Sequence, residues 1–159
     1  MKTELLSQIV HSFFLDYLKV QKGLQLTSIQ SYRDVIKLFL CFAADDRKRK
    51  ITKLDIEDIT FDMVLRFLQY LEQKRGNHIR TRNQRLAVLR TFFEYVVCRI
   101  PQMLLLGQQI TNIPMKRVSP PETHFLEREH IAKLFADIPS KGHHALRDRT
   151  LLLFLYNTG

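Results

Sequence analysis

The sequence predicts an all-α fold, and three observations carry that reading. Apolar residues recur every three or four positions through most of the chain, which is the period of a helix with one buried face. Only 5 Gly and 5 Pro occur in 159 residues, so the helices are joined by short turns. The composition is 45% hydrophobic and 26% charged, which supplies a core and argues against disorder. The length suits one full domain and part of a second.

In residues 4–22, Leu5, Ile9, Phe13, Tyr17 and Leu18 form one apolar face, with Val10 and Phe14 at its edge, and Gly23 stops the helix after Lys22. Thr27 and Gln30 read as a capping box for a second helix. Ile29, Tyr32, Ile36, Phe39, Leu40 and Ala43 are its stripe, and it should end near Ala44. The basic run Arg47-Lys48-Arg49-Lys50 reads as a solvated loop, followed by a connecting segment to Thr60. Thr60 caps a third helix that buries Val64, Phe67, Leu68 and Leu71 and ends at Gly76-Asn77. A fourth helix, starting near Thr81, buries Leu86, Leu89, Phe93, Val96 and Val97 until Pro101 breaks it. Met103 to Leu106 is a short fifth helix. Residues 1–112 thus form a four- to five-helix bundle. From Ile113 the pattern changes, with Pro114, Pro120 and Pro121 describing an extended linker over 113–125. Residues 126–159 hold two further helices, one through Ile131, Leu134 and Phe135 and one from about Ala145 to Tyr156. Pro139-Ser140-Lys141-Gly142 separates them. The run Leu151 to Tyr156 is apolar all round, the mark of a helix buried within a larger domain.

The net charge is +9, and most of the excess lies before residue 113. A basic helical domain implies a polyanionic partner, with a merely basic, soluble surface as the bland alternative. Cys41 and Cys98 fall in apolar helical patterns and read as reduced core residues of a cytosolic protein. His143-His144 has no carboxylate or thiol set to complete a metal site, so no metal and no cofactor are expected. The chain opens without the pattern of a signal peptide, and its longest apolar run is far too short for a membrane span. No small-molecule ligand is implied.

Lys74, Arg75, Arg80, Arg82, Arg85 and Arg90 make the densest basic cluster, around the start of the fourth helix beside Thr81. Free amides at a helix start suit a phosphate, and arginines add charge-assisted contacts. Asn83 and Gln84 are candidates for base edges. The second helix offers a matching start in Thr27, Ser28, Gln30 and Ser31, with Arg33 and Lys37 further along. The plain alternative is that Thr27 and Thr81 only cap their helices.

Three segments together resemble tyrosine recombinases, the family of phage integrases and Xer-type resolvases. Thr27-Ser28-Ile29-Gln30-Ser31-Tyr32, with Phe39 and Phe42, resembles the Thr-x-x-x-x-Tyr helix of the core-binding domain. Arg85 to Tyr95, with Leu89-Arg90-Thr91-Phe92-Phe93 inside it, resembles the Leu-Arg-Ser-Phe-Phe helix. Phe125 to Ile131 and Leu146 to Gly159 resemble the opening of the catalytic domain. The resemblance implies a SAM-like core-binding bundle, a linker and two helices of an incomplete catalytic domain. In that family a pair like Thr158-Gly159 is followed by any residue and then the first catalytic arginine. None of the family's catalytic arginines, lysine, histidines or nucleophilic tyrosine therefore carries over to this chain.

The resemblance implies binding of double-stranded DNA by this chain. It also implies an intact parent that cuts and rejoins DNA without a cofactor, beside further recombinase protomers. The place would be a bacterial cytoplasm, at the nucleoid or a mobile element. A helical adaptor that binds an acidic protein, or a truncated regulator of a full-length recombinase, is the alternative.

Overall fold

The computed structural model describes residues 5–120, 126–138, 142 and 144–158. Residues 121–125 of the expected linker, the break at Pro139-Ser140-Lys141, His143 and the closing Gly159 lie outside the described residues. Every regular element among the described residues is helical, and the chain divides into two units, Met1–Val118 and Ser119–Gly159.

In the first unit α1 spans Leu6–Ser12 and continues without interruption as a π-helical stretch, Phe13–Gln21. Lys22 N donates to Tyr17 O at 2.8 Å, the longer reach of that wider turn. Ile9, Phe13 and Leu18 are buried as the periodicity predicts, but Leu6 takes the place expected of Leu5, which is 57% exposed at the helix start.

The second helix, α2 (Leu26–Arg47), differs at both ends from the expectation. Gln25 is its N-cap, so Thr27 and Ser28 lie inside the first turn and the Thr27–Gln30 capping box does not form. At the other end it runs three residues past Ala44, and Lys48 closes it in the left-handed region at φ 52. The connecting segment is not a passive loop. Its two 3₁₀ turns, Ile51–Lys53 and Ile56–Asp58, set Leu54, Ile56 and Ile59 into the core. Arg47 donates twice to Asp58 O, at 3.0 and 2.6 Å, and Arg49 pairs with the Asp58 carboxylate at 3.2 Å. Two members of the basic run are therefore staples that satisfy a turn.

Thr60 caps α3 (Phe61–Gln73) as expected, its hydroxyl accepting from Met63 N at 3.3 Å. Gly76, at φ +61, ends the descent from α3 in a conformation that a side chain would strain, and it aims the chain into α4. That helix (Ile79–Arg99) begins two residues before Thr81 and is capped instead by His78, whose Nδ1 accepts from Arg80 N at 3.2 Å. After a 3₁₀ turn at Pro101–Met103 comes α5 (Leu104–Thr111). Gly107 allows α5 to sit close on α4, because a Cβ there would meet Val97 Cγ2 at 2.4 Å.

Phenylalanines tie these helices into one core. Phe13 packs on Phe92 of α4 at 5.1 Å between ring centroids, and Phe39 of α2 meets Phe67 of α3 at 5.2 Å and Phe93 of α4 at 6.3 Å. All three are edge-on, one of the favoured arrangements for aromatic pairs. The cysteines depart from the expectation: Cys41 is half-buried and Cys98 is exposed, because the buried stripe of α4 runs through Phe92, Phe93 and Val96 and leaves Cys98 outside it.

The second unit holds α6 (Arg128–Asp137) and α7 (Ala145–Thr158), with Phe135 and Tyr156 in edge contact at 6.1 Å. No described residue of either helix is fully buried, and Leu146, Leu151, Leu153, Phe154, Leu155 and Tyr156 are exposed. Among the described residues, this pair of helices buries no core of its own. Removing residues 122–159 is therefore expected to leave the first unit's cooperative urea unfolding unchanged and to increase solubility. Loss of cooperativity on that deletion would show that the tail completes the first core.

Candidate nucleic-acid interface

The turn from α3 into α4 exposes Lys74, Arg75, Arg80 and Gln84, while Thr81, Asn83 and Arg85 are half-buried. Arg85 has one guanidinium nitrogen, Nη1, buried without a hydrogen-bond partner. Its pKa is pushed down by burial, then by the nearby charge of Arg75. The like charge of Arg75 acts on a partly buried Arg85, an arrangement an anion would relieve.

Arg82 corrects the sequence-based expectation. It is buried at 5% exposure rather than presented to a ligand. Its Nε lies 3.4 Å from Glu72 Oε1, and its Nη1 donates to Asn83 Oδ1 at 3.2 Å and to Pro114 O at 3.3 Å. Burial lowers the Arg82 pKa from its ordinary value, and the Glu72 charge opposes that. Arg82 thus works inside the fold.

Asn83 is also engaged. Its Nδ2 donates to Lys116 O at 2.7 Å, and its Oδ1 accepts from Lys116 N at 3.1 Å. Lys116 Nζ reaches Glu72 Oε2 at 2.6 Å, Arg90 donates to Ile113 O, and Ile113 is buried. Residues 113–116 therefore pack on α4 as an extended strap, and the first unit continues to Val118 rather than closing at residue 112. Nothing local in the sequence marks these partners, since Asn83 and Lys116 are 33 positions apart.

At the start of α2, Thr27, Ser28, Gln30, Ser31, Arg33 and Lys37 are all exposed. Ser31 Oγ donates to Thr27 O at 3.2 Å, and Arg33 pairs with Asp34 at 3.5 Å, both largely in solvent and of little energetic weight. Neither Thr27 nor Thr81 caps its helix, so the Thr27 hydroxyl stays free to act as a donor. No hydrogen bond or ion pair joins the α2 group to the α4 group among the described residues. The basic run that the sequence reads as a solvated loop contributes Lys48, Arg49 and Lys50 to an open groove, with Lys53 beside them.

Residues 12–99 match the phage integrase N-terminal SAM-like domain. Two proteins of Sinorhizobium fredii named integrase/recombinase, y4rD and y4rC, are similar over nearly the whole chain. The first is 36% identical over 98% of this chain and 55% of its own length. The second is 32% identical over 97% of this chain and 46% of its own length. The tyrosine recombinase XerC of Staphylococcus carnosus is 25% identical over 94% of this chain and 47% of its own length. The chain spans about half the length of these curated relatives. No solved structure gives a significant match. A match to more than half of the chain, on an all-helical unit with a cationic helix start, places this chain in the phage integrase family of tyrosine recombinases.

Proposed function

We propose that this chain binds duplex DNA as the core-binding region of a site-specific tyrosine recombinase or integrase. The whole protein would cut and rejoin DNA with further protomers on the same duplex, in a bacterial cytoplasm, while these residues bind without catalysing. The observation that carries the reading is the cationic surface at the start of α4. Lys74, Arg75, Arg80 and Arg85 reach solvent there. Glu72, the only acid between Asp62 and Glu94, is already neutralised by Arg82 and Lys116. A field of one sign on a rigid helical support suits a phosphate backbone. The exposed hydroxyls and amides of Thr27, Ser28, Gln30 and Ser31 supply donors of the kind that fix register.

Duplex affinity is expected to fall with salt at a log–log slope of roughly −4 to −5, corresponding to about four to six neutralised phosphates. Arg80→Ala and Arg85→Ala should each flatten that slope by about one. A wild-type slope near zero would overturn the DNA reading. Incubation with a nicked suicide duplex should give no covalent adduct, and a phosphotyrosyl link on any tyrosine would place a nucleophile in this chain.

A further inference from the structure

The strap at residues 113–116 is bound too specifically for a tether. Three side chains of α4 hold the backbone of three of its four residues: Arg90 at Ile113 O, Arg82 at Pro114 O, and Asn83 at both N and O of Lys116. The Asn83 amide imitates one rung of a β-ladder, offering a donor and an acceptor to a single residue of an extended chain. An extended segment has no neighbouring strand to satisfy its backbone groups, so this clamp takes that part. Lys116 Nζ then closes on Glu72. Beyond the clamp, Arg117 is exposed and makes no hydrogen bond or ion pair among the described residues.

We propose that the clamp is a positioning device. It lays the strap along the start of α4, so that Arg117, one residue past the Asn83 contact, joins Arg75, Arg80 and Arg85 in contacting the phosphates of a bound duplex. Asn83 is then a positioning residue that acts through the strap, and Arg117 is the group that meets the anion. The second arm of the test rests on the DNA reading, and the first does not.

The first arm is amide hydrogen exchange on the full chain without DNA. In Asn83→Ala the Lys116 amide loses its acceptor and should exchange about tenfold faster or more. Core amides of Leu89 and Phe92 should stay at their wild-type rates, which verifies the fold. Asn83→Ser, a milder change that is too short to span the gap, should give the same result if the alanine variant is poorly folded. An unchanged Lys116 rate overturns the clamp.

The second arm is the salt dependence of duplex binding. Arg117→Ala and Asn83→Ala should each flatten the slope by about one, and the double variant should be no flatter than either single variant. That non-additivity follows only if Asn83 acts through Arg117. A double variant flatter by two, or a wild-type slope in Arg117→Ala, overturns the positioning role. If the wild-type chain shows no salt-dependent binding, the DNA reading has failed, and the exchange rates still decide the clamp.

Discussion

Phe13→Ala is expected to remove a large share of the first unit's stability. The ring is fully buried and lies among Tyr32 of α2 and Phe92 and Tyr95 of α4, at centroid distances of 6.2, 5.1 and 5.3 Å. Truncating a buried phenylalanine costs about 3–5 kcal/mol, since the lost burial is joined by a cavity that stiff neighbours cannot fill. The whole stability of a domain is about 5–15 kcal/mol, so this one change leaves a marginal fold. Urea unfolding followed by circular dichroism measures it, with the slope m checked for two-state behaviour. Leu26→Ala is the control, because Leu26 is 72% exposed and its loss should stay within about 0.5 kcal/mol. A cost below about 1 kcal/mol for Phe13→Ala would mean that the π-helical stretch is not docked on α4.

Glu72→Ala is expected to cost about 3 kcal/mol, near the lower end for a broken buried pair because Glu72 is 25% exposed. The Arg82 side chain, 7% exposed, would be left as a buried charge without its counter-ion. The strap would also lose the Lys116 anchor. The double variant Glu72→Ala/Arg82→Met should regain most of that loss, because an apolar chain of similar length occupies the space without a desolvated charge. A cost under about 0.5 kcal/mol for Glu72→Ala would show that the pair behaves like an ordinary surface bridge.

The contrast between Arg82 and Arg85 shows how far residue type alone reaches. Both are arginines near the start of a basic helix, and both are equally good phosphate ligands on paper. They differ in the tertiary structure: Arg82 faces Glu72 of α3 and Pro114 of the strap, whereas Arg85 is partly buried and feels the like charge of Arg75. The two threonines tell a similar story. Thr60 caps its helix as its local sequence predicts, while Thr27 and Thr81 are drawn inside theirs by helix starts at Leu26 and Ile79. Helix ends are the least determined part of an amphipathic pattern, since one more turn costs little when its outer face is solvent.

The sequence by itself determined the all-helical class, the apolar stripes of α1 to α4, the change of character at Ile113 and the family motifs at Thr27–Tyr32 and Arg85–Tyr95. All of these rest on short-range periodicity, and a helix imposes that on any chain that must bury one face. Only the tertiary structure decided which basic residues are free. It withdrew Arg82, Asn83 and Arg90 into the fold, turned Arg47 and Arg49 into staples on Asp58, and made residues 113–116 a strap. The physical reason is that these contacts are tertiary: the partners stand 9 to 33 positions away, beyond the reach of any local pattern.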